Sequence, residues 1–178
     1  MSAAKVSKTC RGEDRFAQSI ESLRIRRADL DSPNARRLIA ALNAELAALY
    51  PEPGATHFSL AAEEVDTGKG AFLIGYLKSD AVACGAIRCR AAGVAEIKRM
   101  YVAPALRGRG IAERMLAALE QQARQLAVVR LVLETGNRQP AAIALYHRAG
   151  FIPIARFGEY RRSTLSLCMG KDLSGGER

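Results

Sequence analysis

Between positions 101 and 113 the chain reads YVAPALRGRGIAE, and here the residue types and spacing could do chemistry. Gly108 and Gly110 allow a sharp turn in which backbone N–H groups approach an anion closely. A helix starting after them would add the unpaired N–H groups and the positive dipole end of its first turn. Arg107 and Arg109 supply forked charge suited to phosphate. Together these features describe a pyrophosphate cradle. The stretch lacks the third glycine of a dinucleotide fingerprint, position 113 being Glu, and the Gly-Lys-Ser/Thr of a nucleotide P-loop. On these residues alone, glycines that only make the turn and arginines that stay solvated account for it equally well.

The elements around the turn must hold it. Val94 to Val102 (VAEIKRMYV) alternates as a strand with two differently used faces, and Pro104 ends any ladder. Ile111 to about Leu126 follows as an amphipathic helix. It buries Ile111, Met115, Leu119, Ala123 and Leu126, and turns Glu113, Arg114, Glu120 and Arg124 outward. Upstream, Leu23 to Ala28 reads as a half-buried strand. Asp31-Ser32-Pro33 opens a helix with Leu38, Leu42, Leu46 and Leu49 on one face, stopped by Pro51 and Pro53. Phe58 to Val65 forms a second, shorter helix. Gly70 to Lys78 and Ala81 to Arg90 pair through a tight Ser79-Asp80 turn, and with Val94–Val102 make an antiparallel meander. Downstream, Arg130 to Glu134 is a short strand reached by a crossover to a parallel neighbour, and Thr135 to Gln139 is a loop. A helix runs from Pro140 to Ala149 with Gly150 as its left-handed stop. Phe151–Ile154 and Thr164–Met169 close the chain as strands. The expected fold class is therefore α/β, a mixed sheet that is antiparallel in its first half with a parallel pair at the crossover. Residues 1–22 are expected as a flexible arm, 23–172 as one domain and 173–178 as a tail.

Composition narrows the classes. A chain of 178 residues, 49% hydrophobic and 25% charged, matches one globular domain. No apolar run reaches membrane-spanning length, and the N-terminus has no secretory pattern, so the expectation is a cytoplasmic protein without a membrane partner. The net charge of +9 favours a polyanionic partner. Aromatic residues make up only 6% and Trp is absent, which argues against a single-strand stacking surface and leaves no specific nucleic-acid partner expected. Cys10, Cys84, Cys89 and Cys168 form no CxxC pair, and His57 and His147 are distant from them, so no metal is expected. Cys84 and Cys168 read as small core residues.

Two motifs together bring a family into view. Arg107-Gly108-Arg109-Gly110-Ile111-Ala112 matches the form Gln/Arg-x-x-Gly-x-Gly/Ala, and Ala142-Ile143-Ala144-Leu145-Tyr146, then Gly150-Phe151, matches Ala-x-x-Leu-Tyr followed by Gly-Phe. In this order and spacing the chain resembles the GNAT superfamily of acetyl-CoA-dependent N-acetyltransferases over residues 23 to 172. The resemblance implies a GNAT-like fold with a splayed parallel strand pair at its centre, and acetyl-CoA as cosubstrate. It implies that backbone groups of Met100, Tyr101 and Val102 face the pantetheine arm, and that N–H groups from Arg107 to Ala112 hold the pyrophosphate. Where relatives often carry Asn three residues before Ala142, this chain has Gln139, with Asn137 two residues earlier. Either amide fits the role.

Acetyl transfer requires an amine to lose a proton, a developing oxyanion to be steadied and a thiolate to leave. Glu96 lies eleven residues before Arg107 (107 − 96 = 11), a spacing similar to that of the basic glutamate in the histone-modifying branch. It is the expected base, with water as the alternative; Lys98 on the same strand face would lower its pKa. Tyr146 is the expected acid, its phenol implied to lie near the cofactor sulfur. Arg99, Arg156, Arg161 and Arg162 are read either as anchors for a substrate carboxylate or the 3′-phosphate, or as solvated charge. The resemblance puts Glu63, Glu64 and His57 where the family's substrate-shaping helix is expected, with nothing in their spacing to single them out, and His147 is read as exposed. The expected reaction is direct attack by a primary amine, with small amines and amino acids favoured over protein. A CoA-binding module without catalysis is the alternative, and the resemblance leaves room for a homodimer.

Overall fold

Val94–Val102, the strand that leads into the glycine turn, is the middle strand of a seven-stranded sheet. The computed structural model of the chain describes residues 22–53 and 59–173. In chain order its elements are β1 (Arg24–Arg27), α1 (Pro33–Leu49), β2 (Gly70–Leu77), β3 (Asp80–Ala91), β4 (Val94–Val102), α2 (Ile111–Gln125), β5 (Arg130–Gly136), α3 (Pro140–Arg148), β6 (Ile152–Pro153) and β7 (Ser166–Asp172). Short 3-10 turns lie at Ala62–Val65, Pro104–Leu106 and Gly158–Tyr160. The sheet order is β1-β2-β3-β4-β5-β7-β6, with β4 and β5 parallel and every other pair antiparallel.

Each face of the sheet has its own core because strand side chains alternate. On one face α2 and α3 cover Leu73, Ile87, Ile97, Leu131 and Leu133, with Ile111, Met115 and Leu119 as the buried stripe of α2. On the other, α1 brings Ala35, Leu38 and Leu42 onto Phe72, Ile74, Cys84 and Tyr101. The Ser32 side chain caps α1 by accepting from Ala35 N, and Pro33 takes its first turn. Gly150 follows α3 at φ +87°.

Several expectations need correction. Glu120, expected outward, is buried and accepts a 2.6 Å hydrogen bond from Lys171 Nζ, because β7 comes alongside α2. The β2–β3 turn is Lys78-Ser79, with Lys78 at φ +56°, since Leu77 pairs with Asp80. β5 continues through Thr135 and Gly136, which pair with β7 where a loop was expected. Of the helix expected over residues 58–65, the described part forms only the Ala62–Val65 turn. The arm expected over residues 1–22 and the tail over 173–178 lie outside the described residues except for Ser22 and Leu173, and Leu173 packs into the core.

Candidate active site

The central parallel pair opens where the cradle begins. β4 and β5 pair from Val94–Arg130 to Ile97–Leu133 and then part. β3 still holds the other edge of β4, through Cys84–Tyr101 and Ala83–Val102. The β5-facing edge of residues 98–102 therefore borders a gap. Proline at 104 and the turn that follows carry the chain away from the sheet before α2 starts.

That turn forms as its composition dictates. Gly108 and Gly110 take φ +72° and +76°, conformations costly for residues with a Cβ. A Cβ at either would meet nothing within 4 Å, so the conformation and not crowding demands glycine, and the space above the turn is open. Gly110 is the N-cap of α2 and caps with no side chain, leaving the first-turn N–H groups available to an anion. The cradle thus fits a pyrophosphate through its backbone. The Arg107 side chain is otherwise engaged: Nε donates to Val102 O at 2.9 Å, and Nη1 and Nη2 donate to Glu45 at 2.9 and 2.6 Å. It fastens the turn to α1.

A cavity of about 580 Å³ runs from this turn through the gap to the α1 face. Met100, Tyr101, Val102, Arg107, Gly108, Gly110, Ile111, Ala112, Gln139 and Tyr146 all line it, so the gap gathers these expected residues around one space. Arg109, Asn137 and Glu96 are not among the lining residues. Gln139 stands at the N-cap of α3, while Asn137 uses its backbone N–H on Leu165 O at 2.8 Å.

Tyr146 projects from α3, buried against Phe151 in an edge-on contact with centroids 5.7 Å apart. Burial, followed by the nearby charge of Glu134, pushes its phenol pKa up, so it keeps its proton at neutral pH.

Glu134 is the residue that sequence reasoning missed. It is the first residue of β5 beyond the last pair with β4, and it lines the cavity. Burial raises its carboxyl pKa above the ordinary value; the Ser166 hydrogen bond and Lys98 oppose this, and Glu96 and Glu159 add to it. A carboxylate so placed is primed to take a proton. The only available signal was a lone Glu ending an apolar strand before TGN, a pattern that fixes no role.

Glu96, the expected base, sits in a different setting. It is 0% exposed and accepts from Arg88 Nε at 2.9 Å, Arg90 Nη1 at 2.7 Å and the Tyr160 hydroxyl at 2.6 Å. Lys98 Nζ lies 3.9 Å away and donates to Glu159 at 2.9 Å and to the Tyr160 oxygen at 3.0 Å. Arg88 also holds Glu64 at 2.7 Å and Glu159 at 2.9 Å. Burial disfavours the Arg88 charge, yet Glu96, Glu64 and Glu159 together outweigh it and raise its pKa. The cluster clamps the 62–65 and 158–160 turns onto β3 and β4.

The remaining candidates are dispersed. Arg99 lines the cavity and donates to Asn43 Oδ1 at 3.1 Å. Arg156 donates to Ser166 O at 3.1 Å, and Arg161, Arg162, Glu63 and His147 are exposed. His57 lies outside the described residues. Cys84 is buried, its thiol pKa pushed up to about 12 by burial, which makes it inert at neutral pH. Among the described residues no group of three or more His, Cys, Asp or Glu could hold a metal ion, and no helix is long and apolar enough to cross a membrane.

Comparison with known proteins agrees with this geometry. Residues 24–151 match the model of the acetyltransferase (GNAT) family. An "IAA acetyltransferase" of Azospirillum brasilense is 42% identical over 103 residues, covering 57% of this chain and 67% of that protein. The matched segments span 56% to 67% of the length of the curated relatives. The crystal structure of a candidate acyl-CoA N-acyltransferase from Klebsiella pneumoniae superposes with a TM-score of 0.72 at 36% identity, covering 85% of this chain and 97% of that one. A GNAT family acetyltransferase from Elizabethkingia anophelis, solved with acetyl-CoA bound, shares the fold at a TM-score of 0.63 and 17% identity, over 86% and 99% of the two chains. With its family motifs gathered at the opened strand pair, the chain belongs to the acetyltransferase (GNAT) family of acyltransferases.

Proposed function

We propose that this protein moves an acetyl group from acetyl-CoA to a primary amine by direct attack within a ternary complex, with Glu134 as the base and Tyr146 as the acid. One observation carries the reading. The cavity that begins at the glycine turn passes between β4 and β5 and is lined by both Glu134 and Tyr146. Acetyl-CoA, when bound, supplies the activated acetyl group and a sulfur leaving group.

The chain's own groups would then act as follows. Backbone N–H groups of residues 107–112 hold the pyrophosphate, with Gln139 at the opposite wall. The edge of Met100–Val102 that β5 leaves unpaired faces the pantetheine amides. Glu134 accepts the proton that the acceptor ammonium must lose before its nitrogen can attack. The neutral Tyr146 phenol gives its proton to the departing sulfur as the C–S bond breaks, and regains one from the nitrogen, which sheds its second proton as the amide forms. Glu96 has a supporting role on this view, since its oxygens are already engaged by three donors.

Free thiol released from acetyl-CoA across an amine panel tests the proposal. Turnover with at least one amine, abolished by Glu134→Gln while coenzyme A still binds, is the expected result. Tight cofactor binding with no turnover on any amine would leave a CoA-binding module instead.

A further inference from the structure

Arg99 breaks the alternation of β4. Across β3, Ala86 pairs with Lys98 and Cys84 pairs with Tyr101, so one residue of β3, Gly85, is matched against two of β4, Arg99 and Met100. The extra residue is a bulge, and Arg99 sits in it at φ +57°. This is a rare conformation for a long side chain. Regular alternation would send Arg99 to the α2 side, where Ile97 joins the core. The bulge turns it to the α1 side instead, where Nη1 meets Asn43 Oδ1 at 3.1 Å and Arg99 is among the residues that line the cavity.

Resting on the acetyl-transfer reading above, we infer that the acceptor is a small amine that also carries a carboxylate, an amino acid in the simplest case, whose carboxylate is bound by Arg99 while its ammonium faces Glu134. The two groups lie on one cavity, positive charge from the bulged strand and negative charge from the strand that parts from it. A zwitterionic acceptor complements both at once. A guanidinium offers two parallel donors to a carboxylate, a fit that a simple amine cannot use. Burial lowers the pKa of Arg99, with Arg88 adding to the fall and Tyr160 and Cys84 opposing it. A carboxylate beside this desolvated guanidinium favours its charged form. Leu42, Leu46 and Leu49 of α1 give the same cavity an apolar wall for the remainder of the molecule.

The test uses the full chain and thiol release, comparing amino acids with their carboxamides and decarboxylated amines, and including a short peptide amide with a free N-terminus. The expected result is that kcat/KM for the best amino acid exceeds that of its decarboxylated partner at least about tenfold, the scale of a charge-assisted hydrogen-bond pair. Arg99→Gln collapses that ratio toward one, and Arg99→Lys retains part of it. The ratio is internal to each variant, so a partly destabilised variant still reports, and wild type alone decides if neither variant folds. Decarboxylated amines or carboxamides that match the amino acids in wild type would overturn the inference while leaving acetyl transfer intact. A panel in which no amine reacts removes the acetyl-transfer reading and this one with it.

Discussion

The Tyr160 hydroxyl donates a 2.6 Å hydrogen bond to Oε1 of Glu96, joining the turn at 158–160 to the centre of β4 beneath the cavity. Both residues are almost wholly enclosed, and Arg88 and Arg90 hold the other carboxylate oxygen. Burial and then the Glu96 charge raise the phenol's pKa, so the bond keeps its direction at any ordinary pH.

Glu96→Gln therefore takes one of three carboxylates from the buried Arg88 guanidinium, and from Arg90 the carboxylate it holds. A stability loss of about 3–5 kcal/mol is expected, read as a drop in denaturant midpoint. Tyr160→Phe removes the bond to Glu96 and the one accepted from Lys98 Nζ, and costs at least about 1.5–3 kcal/mol. Folded Glu96→Gln protein retains kcat within about tenfold of wild type; a loss as deep as that of Glu134→Gln would return the base role to Glu96.

Glu134→Gln behaves in the opposite way. Its kcat falls about 10²- to 10⁴-fold, the usual scale of a lost general base. The wild-type rate rises with pH through a value above the ordinary carboxylate range, because the basic form appears only above the raised pKa. That limb disappears in the variant. Since the folded state binds this proton more tightly than the unfolded state, the group's contribution to stability is full below the unfolded pKa and is lost as pH rises through the folded one. At neutral pH the variant is thus expected to be at least as stable as wild type. A marked drop in its thermal midpoint would show that the Glu134 charge is structural.

Tyr146→Phe keeps the ring against Phe151 and loses only the hydroxyl. We expect kcat to fall about 10²-fold with little change in the KM for acetyl-CoA, because the hydroxyl acts on a charge that exists only as sulfur leaves. Steady-state kinetics with an acceptor from the amine panel decide it; a rise in KM at constant kcat would make Tyr146 a binding residue only.

Gly110→Ala places a Cβ at φ +76°, a conformational cost of about 1–2 kcal/mol with no steric clash. If the turn relaxes by moving its N–H groups, coenzyme A affinity drops roughly tenfold, equivalent to about 1.4 kcal/mol. Calorimetry measures this directly, and an unchanged Kd would mean that the backbone there holds nothing.

The helices, the meander and the glycine turn were legible because each rests on local rules. Ser32 and Pro33 mark the start of α1, alternation marks β4, and two glycines before an amphipathic run mark the turn into α2. The errors fell where a distant element set the outcome. Glu120 looked like a surface residue on its helix until Lys171 came beside it from β7. Thr135 and Gly136 looked like loop until β7 paired with them.

What the sequence determined by itself was the family and the list of residues that gather around the glycine turn, since both follow from short motifs whose local geometry is self-contained. What only the tertiary structure decided was the surroundings of each charge. Glu96 and Glu134 are carboxylates on neighbouring strands, and the spacing from Arg107 that singled out Glu96 says nothing of what surrounds either one. The parting of β4 from β5 after Ile97 and Leu133 separates them: it leaves Glu96 sealed among arginines and sets Glu134 on the open cavity. The extra residue in β4 likewise turns Arg99 toward α1. Desolvation and partner charge set what an ionisable group can do, and these depend on which strands meet and where they separate.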